Sequence, residues 1–184
     1  MISNLLTFGR ILLTAPLFWL LQSDGASHRW AALCVFLLAG LTDVLDGYLA
    51  RRLGEASAFG AMIDLLADRL LTLAVVGALI AHGEPGGPIA AAALVLVARD
   101  LMVAGLNEAL PGRLDIRVNA LERIKITCQF LGFGFLIAPD FRLPDVAVSS
   151  HTFGVWTLLA CVALALVTLT DYGARALKAF RSGG

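Results

Sequence analysis

Charge is scarce in this chain of 184 residues. Asp, Glu, Lys and Arg together make up 15%, where a soluble domain carries about 25%. The 14 basic and 14 acidic residues cancel, so the net charge gives no reason to expect a nucleic-acid partner, and what matters is where the charges sit. Cysteine is limited to Cys34, Cys128 and Cys161, an odd number with no Cys-x-x-Cys pair, all in apolar stretches. That argues against a disulfide framework or a zinc site and for core packing. The three histidines, His28, His82 and His151, have no metal-ligand spacing to one another and read as interfacial side chains.

What is abundant is apolar residues, at 59% of the chain, against about 45–50% in soluble proteins. With roughly 20 residues per span, the length has room for about six or seven membrane helices and no additional soluble domain. Six apolar segments stand out, at 4–22, 31–53, 59–81, 88–110, 124–138 and 153–171, separated by short connections such as His82-Gly-Glu-Pro-Gly-Gly-Pro88. All six read as helices, because continuous apolar runs lack the alternation of a barrel strand. The first has no Ala-x-Ala-like cleavage site and carries Arg10 inside its apolar run, so it is expected to be retained as a span. Arg51, Arg52, Arg113, Arg117, Arg123, Lys125, Arg175, Lys178 and Arg181 fall on one side of this arrangement, and only Arg29 and Arg142 on the other. The positive-inside rule then predicts both termini in the cytoplasm, in agreement with an even number of spans. The expectation is an all-α integral membrane protein, residues 1–184 forming a single domain of six transmembrane helices.

Against that background, four carboxylates are out of place. Asp43, Asp46, Asp64 and Asp68 lie within 26 positions of otherwise apolar helix. Each costs about 2.5–3.5 kcal/mol at a helix centre on insertion scales, so something must compensate. On a helix, Asp43, Asp46, Gly47 and Ala50 stand at i, i+3, i+4 and i+7, and Gly60, Asp64 and Asp68 at i, i+4 and i+8. Each helix thus presents a stripe of two acids with small residues. The short connection predicts that these helices are antiparallel neighbours with facing stripes. Four convergent carboxylates make an all-oxygen site suited to Mg²⁺, Mn²⁺ or Ca²⁺, and the absence of His and Cys from both stripes argues against zinc. The small residues either leave room for a ligand beside the metal or serve close helix packing.

Asp43-Val-Leu-Asp46-Gly47-Tyr-Leu-Ala50-Arg51, then eight residues, then Gly60-Ala-Met-Ile-Asp64-Leu-Leu-Ala-Asp68 resembles the D-x-x-D-G-x-x-A-R-x8-G-x3-D-x3-D signature of the CDP-alcohol phosphatidyltransferases. Every fixed position is present. The resemblance implies a six-helix membrane enzyme, commonly a homodimer, multi-pass in the cell (inner) membrane with its active site on the cytoplasmic side. It implies that the pyrophosphate of a CDP-linked lipid lies on Mg²⁺ or Mn²⁺ held by Asp43, Asp46 and Asp64. It also implies that Asp68, a possible further metal ligand, is the general base for the acceptor hydroxyl. Gly47, Ala50 and Gly60 match positions where the nucleotide approaches backbone, and Arg51 matches a contact to the nucleotide or its phosphate. Thr42, just before the first acid, either contacts the nucleotide or bonds its own helix backbone.

Weaker matches bear on the acceptor. Arg99-Asp100-Leu-Met-Val-Ala-Gly105-Leu-Asn107-Glu108-Ala-Leu110, the run Val118 to Gln129, the opening Asn4-Leu-Leu-Thr7-Phe-Gly-Arg10 and the late Asp171-Tyr172 are similar to stretches of bacterial phosphatidylglycerophosphate synthases. That implies CDP-diacylglycerol and glycerol 3-phosphate as substrates, with Arg99, Arg123 and Lys125 as cations for the acceptor phosphate. Arg99 could instead be a structural pair with Asp100 or Glu108, and Arg123 and Lys125 could be interfacial anchors. Leu65, Asp100, Asn107 and Ile126 stand where those relatives usually have Pro, Glu, Arg and Thr. The Arg99-Asp100 pair also occurs in cardiolipin synthases of the same superfamily, so phosphatidylglycerol is an alternative acceptor, with inositol phosphate, serine and choline beyond it. A cation transporter is the reading from another class. It is disfavoured because the acids are confined to one helix pair and are not repeated in the later segments.

Overall fold

The computed structural model of the chain describes residues 2–53, 58–83, 86–109, 120–142 and 148–181. Six helices follow one another: α1 (Ile2–Gln22), α2 (Ala26–Leu53), α3 (Ala58–Ala81), α4 (Gly86–Ala109), α5 (Ala120–Ile137) and α6 (Ser150–Arg181). Among the described residues the only β pairing is an isolated bridge between Arg142 and Ser149. Each helix covers one of the six apolar segments to within a residue, but several extend further. α2 begins at Ala26 and α6 runs on to Arg181, because hydropathy marks where a helix is apolar and not where its backbone hydrogen bonds stop.

Four helices, α1, α2, α4 and α6, are long and apolar enough to cross a membrane. The other two, α3 and α5, each carry three charged residues: Asp64, Asp68 and Arg69 in one, Glu122, Arg123 and Lys125 in the other.

α1 packs along both α2 and α3, α5 along α6, α4 against α6 and α3, and α2 against α5. This corrects the expectation that the acid-bearing stripes face each other directly. The short α2–α3 connection holds two helix ends near one another without forcing the axes together, and both helices pack on α1 instead.

The two ends of the bundle differ. Toward one end, Leu17, Leu21, Phe36, Leu79, Leu136 and Ile137 form a buried apolar core. Here Trp19, Trp30 and Trp156 are exposed, each close to a helix end, as expected of an interfacial aromatic belt. His28, His82 and His151 lie at the same end. The opposite end is where odd-numbered helices start and even-numbered ones finish, and the bundle collects its buried charges there.

Close packing depends on a few glycines. The Phe130 ring, stacked on Phe36 with centroids 4.7 Å apart, lies so tightly over Gly40 that a Cβ there would overlap it. In α5 and α6 a Cβ on Gly132 would come within 2.9 Å of the Leu158 side chain, and one on Gly154 within 3.0 Å of the Gly132 carbonyl oxygen. Gly105, by contrast, has nothing within 4 Å of a built Cβ. The cysteines are unpaired, and only Cys161 is fully buried.

Candidate active site

Arg10 is completely buried, at 0% exposure, in the third turn of α1. A lone guanidinium in an apolar bundle is costly unless it is paired, and this one meets all four carboxylates of the acid motif. Its Nη1 lies 2.7 Å from Asp43, 2.8 Å from Asp64 and 3.4 Å from Asp68, and its Nη2 lies 3.2 Å from Asp46. Thr7, one turn earlier, donates its hydroxyl to Asp46 at 2.7 Å. The acids of α2 and α3 therefore converge on a side chain of α1.

A second charged group lies beside the first. Arg99 in α4, 3% exposed, donates both Nη atoms to Glu122 of α5 at 2.9 and 2.7 Å, a bidentate pair. It also donates to Asp100 at 2.8 Å and to the Thr168 hydroxyl of α6 at 2.7 Å, and its guanidinium lies 5.4 Å from the centre of the Tyr172 ring. Lys125, 2% exposed, donates to Asp100 at 2.6 Å and lies 3.3 Å from Glu122. Arg69 joins the two groups, 3.7 Å from Asp68 and 3.4 Å from Asp100. The network thus ties α3, α4, α5 and α6 together at the polar end.

A cavity of about 330 Å³ opens between the groups. Arg10, Asp43 and Asp68 of the first group and Arg99 and Lys125 of the second border it, with Arg69 between them and an apolar wall that includes Phe36 and Phe133. Around it, six carboxylates (Asp43, Asp46, Asp64, Asp68, Asp100 and Glu122) face four cations (Arg10, Arg69, Arg99 and Lys125). The formal surplus of two negative charges equals the charge of one divalent ion.

The residues singled out from sequence are not all in this arrangement. Thr42 donates its hydroxyl to the Ala39 carbonyl at 2.7 Å, bonding its own helix. Arg123 is exposed and outside the cavity wall. Two positions along a helix turn a side chain about 200°, so when Lys125 faces α4, Arg123 faces outward. Lys125 is correspondingly a buried member of the bundle rather than one of the cations of a cytoplasmic connection. Gly47 and Gly60 lie in α2 and α3 on the motif's stripes, while the side chains of Ala50, Arg51, Asn107 and Glu108 lie outside the described residues.

Sequence reasoning did not foresee Arg10 as the partner of the acids, nor Arg69, Glu122 and Thr168. Arg69 was open to the same argument that picked out the acids, being a charge inside an apolar helix. Glu122 lay in a charged run that reads equally as an interfacial anchor.

The chemistry of the donor set suits a hard divalent cation: oxygens of four carboxylates surround one cationic group, with no nitrogen or sulfur ligand competing. As the side chains stand, no three His, Cys, Asp or Glu residues among those described are arranged to hold a metal ion, since the Arg10 guanidinium takes the centre. A metal at this point would require the guanidinium to move aside.

The sequence model of the CDP-alcohol phosphatidyltransferase family matches residues 1–169. A Mycobacterium tuberculosis (strain H37Rv) protein named as a probable phosphatidylglycerophosphate synthase is 30% identical over 181 residues, covering 96% of this chain and 82% of its own length. A Shigella flexneri (serotype 5b) protein named CDP-diacylglycerol–glycerol-3-phosphate 3-phosphatidyltransferase is 26% identical over 178 residues, or 92% of this chain and 97% of that one. Among solved structures, a Mycobacterium tuberculosis phosphatidylinositol phosphate synthase in complex with manganese and citrate superposes with a TM-score of 0.61 at 20% identity. That match covers 95% of this chain and 82% of the other, and it is a likeness of fold.

Proposed function

This chain belongs to the CDP-alcohol phosphatidyltransferase family, and on that premise we propose that it transfers the phosphatidyl group of CDP-diacylglycerol to glycerol 3-phosphate, releasing CMP and forming phosphatidylglycerophosphate. The observation that carries the proposal is the juxtaposition, across one cavity, of the four-carboxylate centre and the Arg69–Arg99–Lys125 wall. An acidic centre is what a metal-bound pyrophosphate needs, and a basic wall is what an acceptor bearing its own phosphate needs. The names of the Shigella and mycobacterial relatives agree with this choice of substrates.

In this reading Asp43, Asp46 and Asp64, with Asp68 beside them, hold Mg²⁺ or Mn²⁺, and the solved relative's manganese is in keeping with that. The ion, when bound, supplies charge neutralisation for the pyrophosphate and for the departing CMP. Asp68 borders the cavity, within reach of an acceptor hydroxyl. It takes the proton as that oxygen forms its bond to the lipid-side phosphorus, and the bond from that phosphorus to the CMP oxygen breaks. Gly47, Ala50 and Gly60 leave the nucleotide room beside α2 and α3, and Arg51 meets its phosphate. Arg99 and Lys125 hold the acceptor side electropositive. No protein nucleophile is required, so the chain contributes positioning and electrostatics.

In the same reading the chain is one domain of six spans, with both termini and the polar end in the cytoplasm, as the distribution of its cations suggests. The protein acts as a homodimer in the cell membrane. The test is CMP release by the purified protein with CDP-diacylglycerol and Mg²⁺, comparing glycerol 3-phosphate with phosphatidylglycerol, inositol phosphate, serine and choline, each with and without chelator. Chelator-sensitive turnover with glycerol 3-phosphate alone is the expected result. Turnover with another acceptor alone would overturn the substrate assignment.

A further inference from the structure

The three cations of the basic wall are not equally committed. All of Arg99's Nη hydrogens are engaged, by Asp100, Glu122 and Thr168, and only its Nε is left over. Lys125 is held at 2.6 Å by Asp100 and 3.3 Å by Glu122. Arg69 is different. It approaches Asp100 at 3.4 Å and Asp68 at 3.7 Å, yet among the described residues it makes no hydrogen bond, and its Nε is buried without a partner. Its side chain is only 16% exposed, and what remains open borders the cavity. A mostly buried guanidinium with five donors and no hydrogen-bonded acceptor calls for explanation. Its fork geometry matches the oxygens of a phosphate.

Placement supplies the rest. Arg69 borders the cavity between the carboxylate centre and the Arg99–Lys125 group, directly after Asp68 in α3. Glycerol 3-phosphate carries its phosphate three carbons from the hydroxyl at the other end. A hydroxyl at Asp68 therefore leaves the phosphate to be received nearby, on the cavity wall away from the four acids. Arg69 also sits where the local charge is favourable, since Asp100 and Glu122 are already matched by Arg99 and Lys125.

We propose that Arg69 is the residue that receives the phosphate of the acceptor, donating its uncommitted N–H groups to the phosphate monoester dianion, while Arg99 and Lys125 shape the wall and neutralise Asp100 and Glu122. This rests on the reading of the chain as a glycerol 3-phosphate-dependent transferase. It also sets Arg69 apart from the cations that sequence alone nominates for the task.

The experiment is steady-state kinetics of CMP release by the wild type, Arg69→Gln and Arg69→Lys in detergent, varying glycerol 3-phosphate and CDP-diacylglycerol separately. It is paired with calorimetric titration of glycerol 3-phosphate into Asp68→Asn and into Asp68→Asn/Arg69→Gln, in which turnover is blocked. The expected result is at least a tenfold rise in KM for glycerol 3-phosphate in Arg69→Gln with KM for CDP-diacylglycerol within twofold of wild type, a smaller rise in Arg69→Lys, and loss of the calorimetric signal in the double variant. An unchanged KM for glycerol 3-phosphate, a fall in kcat alone, or a rise in KM for CDP-diacylglycerol instead would overturn the inference, the last by giving Arg69 to the lipid pyrophosphate. If Arg69→Gln shows no cooperative thermal unfolding transition in detergent and so fails to fold, Arg69→Lys decides, with a threefold or larger rise in KM for glycerol 3-phosphate alone expected and no change contradicting. Failure of the underlying reading is seen separately, in a wild type that releases no CMP with glycerol 3-phosphate.

Discussion

Arg10 Nη1 lies 2.8 Å from Asp64 Oδ1, joining residues 54 positions apart. The pair brings α1 into a site otherwise written in α2 and α3, and it places a fixed positive charge at the focus of four carboxylates.

Removing that charge has a predictable consequence. Arg10→Met leaves the four acids without their shared counter-charge; Asp46 is buried, but Asp43, Asp64 and Asp68 are 42%, 43% and 46% exposed, so water screens part of the loss and the cost is expected to fall below the roughly 3–5 kcal/mol of a fully buried pair. In chelator, the variant is expected to unfold at a lower temperature than wild type. Added Mn²⁺ is expected to raise its unfolding temperature by more than it raises that of wild type, because the ion supplies what Arg10 did. Thermal unfolding in detergent with chelator or Mn²⁺ checks this, and identical increments in the two proteins would count against it.

The two acids of the motif that border the cavity, Asp43 and Asp68, should separate by role. Asp68→Asn is expected to lower turnover by about 10²- to 10⁴-fold, the usual contribution of a positioned base, while CDP-diacylglycerol binding is largely retained. Asp43→Asn is expected to impair both. Near-normal activity in both variants would refute the assignment, and the assay is CMP release alongside equilibrium binding of the CDP-lipid.

Arg99 and Arg123, both cationic, should differ in stability. Arg99→Gln leaves Glu122 without its bidentate partner and held only by Lys125 at 3.3 Å, so the loss is expected to exceed about 1 kcal/mol but to fall short of the roughly 3–5 kcal/mol of a buried charge left with no partner. Arg123→Ala alters an exposed side chain and is expected to stay within about 0.5 kcal/mol. Unfolding temperatures of the two variants in chelator test this ordering, which a greater loss in Arg123→Ala would reverse.

Gly40→Ala puts a methyl group into the Phe130 ring. Overpacking of this kind costs about 1–3 kcal/mol, here by pushing Phe130 off its stack with Phe36. Combining it with Phe130→Leu is expected to recover part of the loss. A double-mutant cycle showing no coupling between the two positions would contradict the contact.

Much of this molecule was legible in its sequence. Six helices follow from six apolar runs because lipid leaves the backbone few alternatives, and the acids stood out because an apolar helix does not carry Asp43, Asp46, Asp64 and Asp68 without cause. What was not legible was who packs on whom. Periodicity puts Asp43 and Asp46 on one face of α2 and Asp64 and Asp68 on one face of α3, but it does not say that α1 takes both faces, so Arg10 remained a single odd charge in an apolar run. The same limit applied to Lys125. A cation in the first turns of a helix reads as an interfacial anchor, and only the rotation of α5 against α4 turns it onto Asp100 while leaving Arg123 outside. Sequence offered Arg99 as a cation for the acceptor phosphate or, alternatively, as a pair with Asp100 or Glu108; it does meet Asp100, but its bidentate partner Glu122 comes from α5, a tertiary relationship that helical spacing does not encode.

The most direct measurement is Mn²⁺ binding followed by electron paramagnetic resonance, in wild type and in Asp43→Asn/Asp64→Asn, with and without CDP-diacylglycerol. The account predicts saturable binding to wild type, a spectrum altered by the CDP-lipid, and loss of that site in the double variant. Equal Mn²⁺ binding by the two proteins, unaffected by the lipid, would contradict the claim that these carboxylates hold the ion at which the phosphatidyl group is transferred.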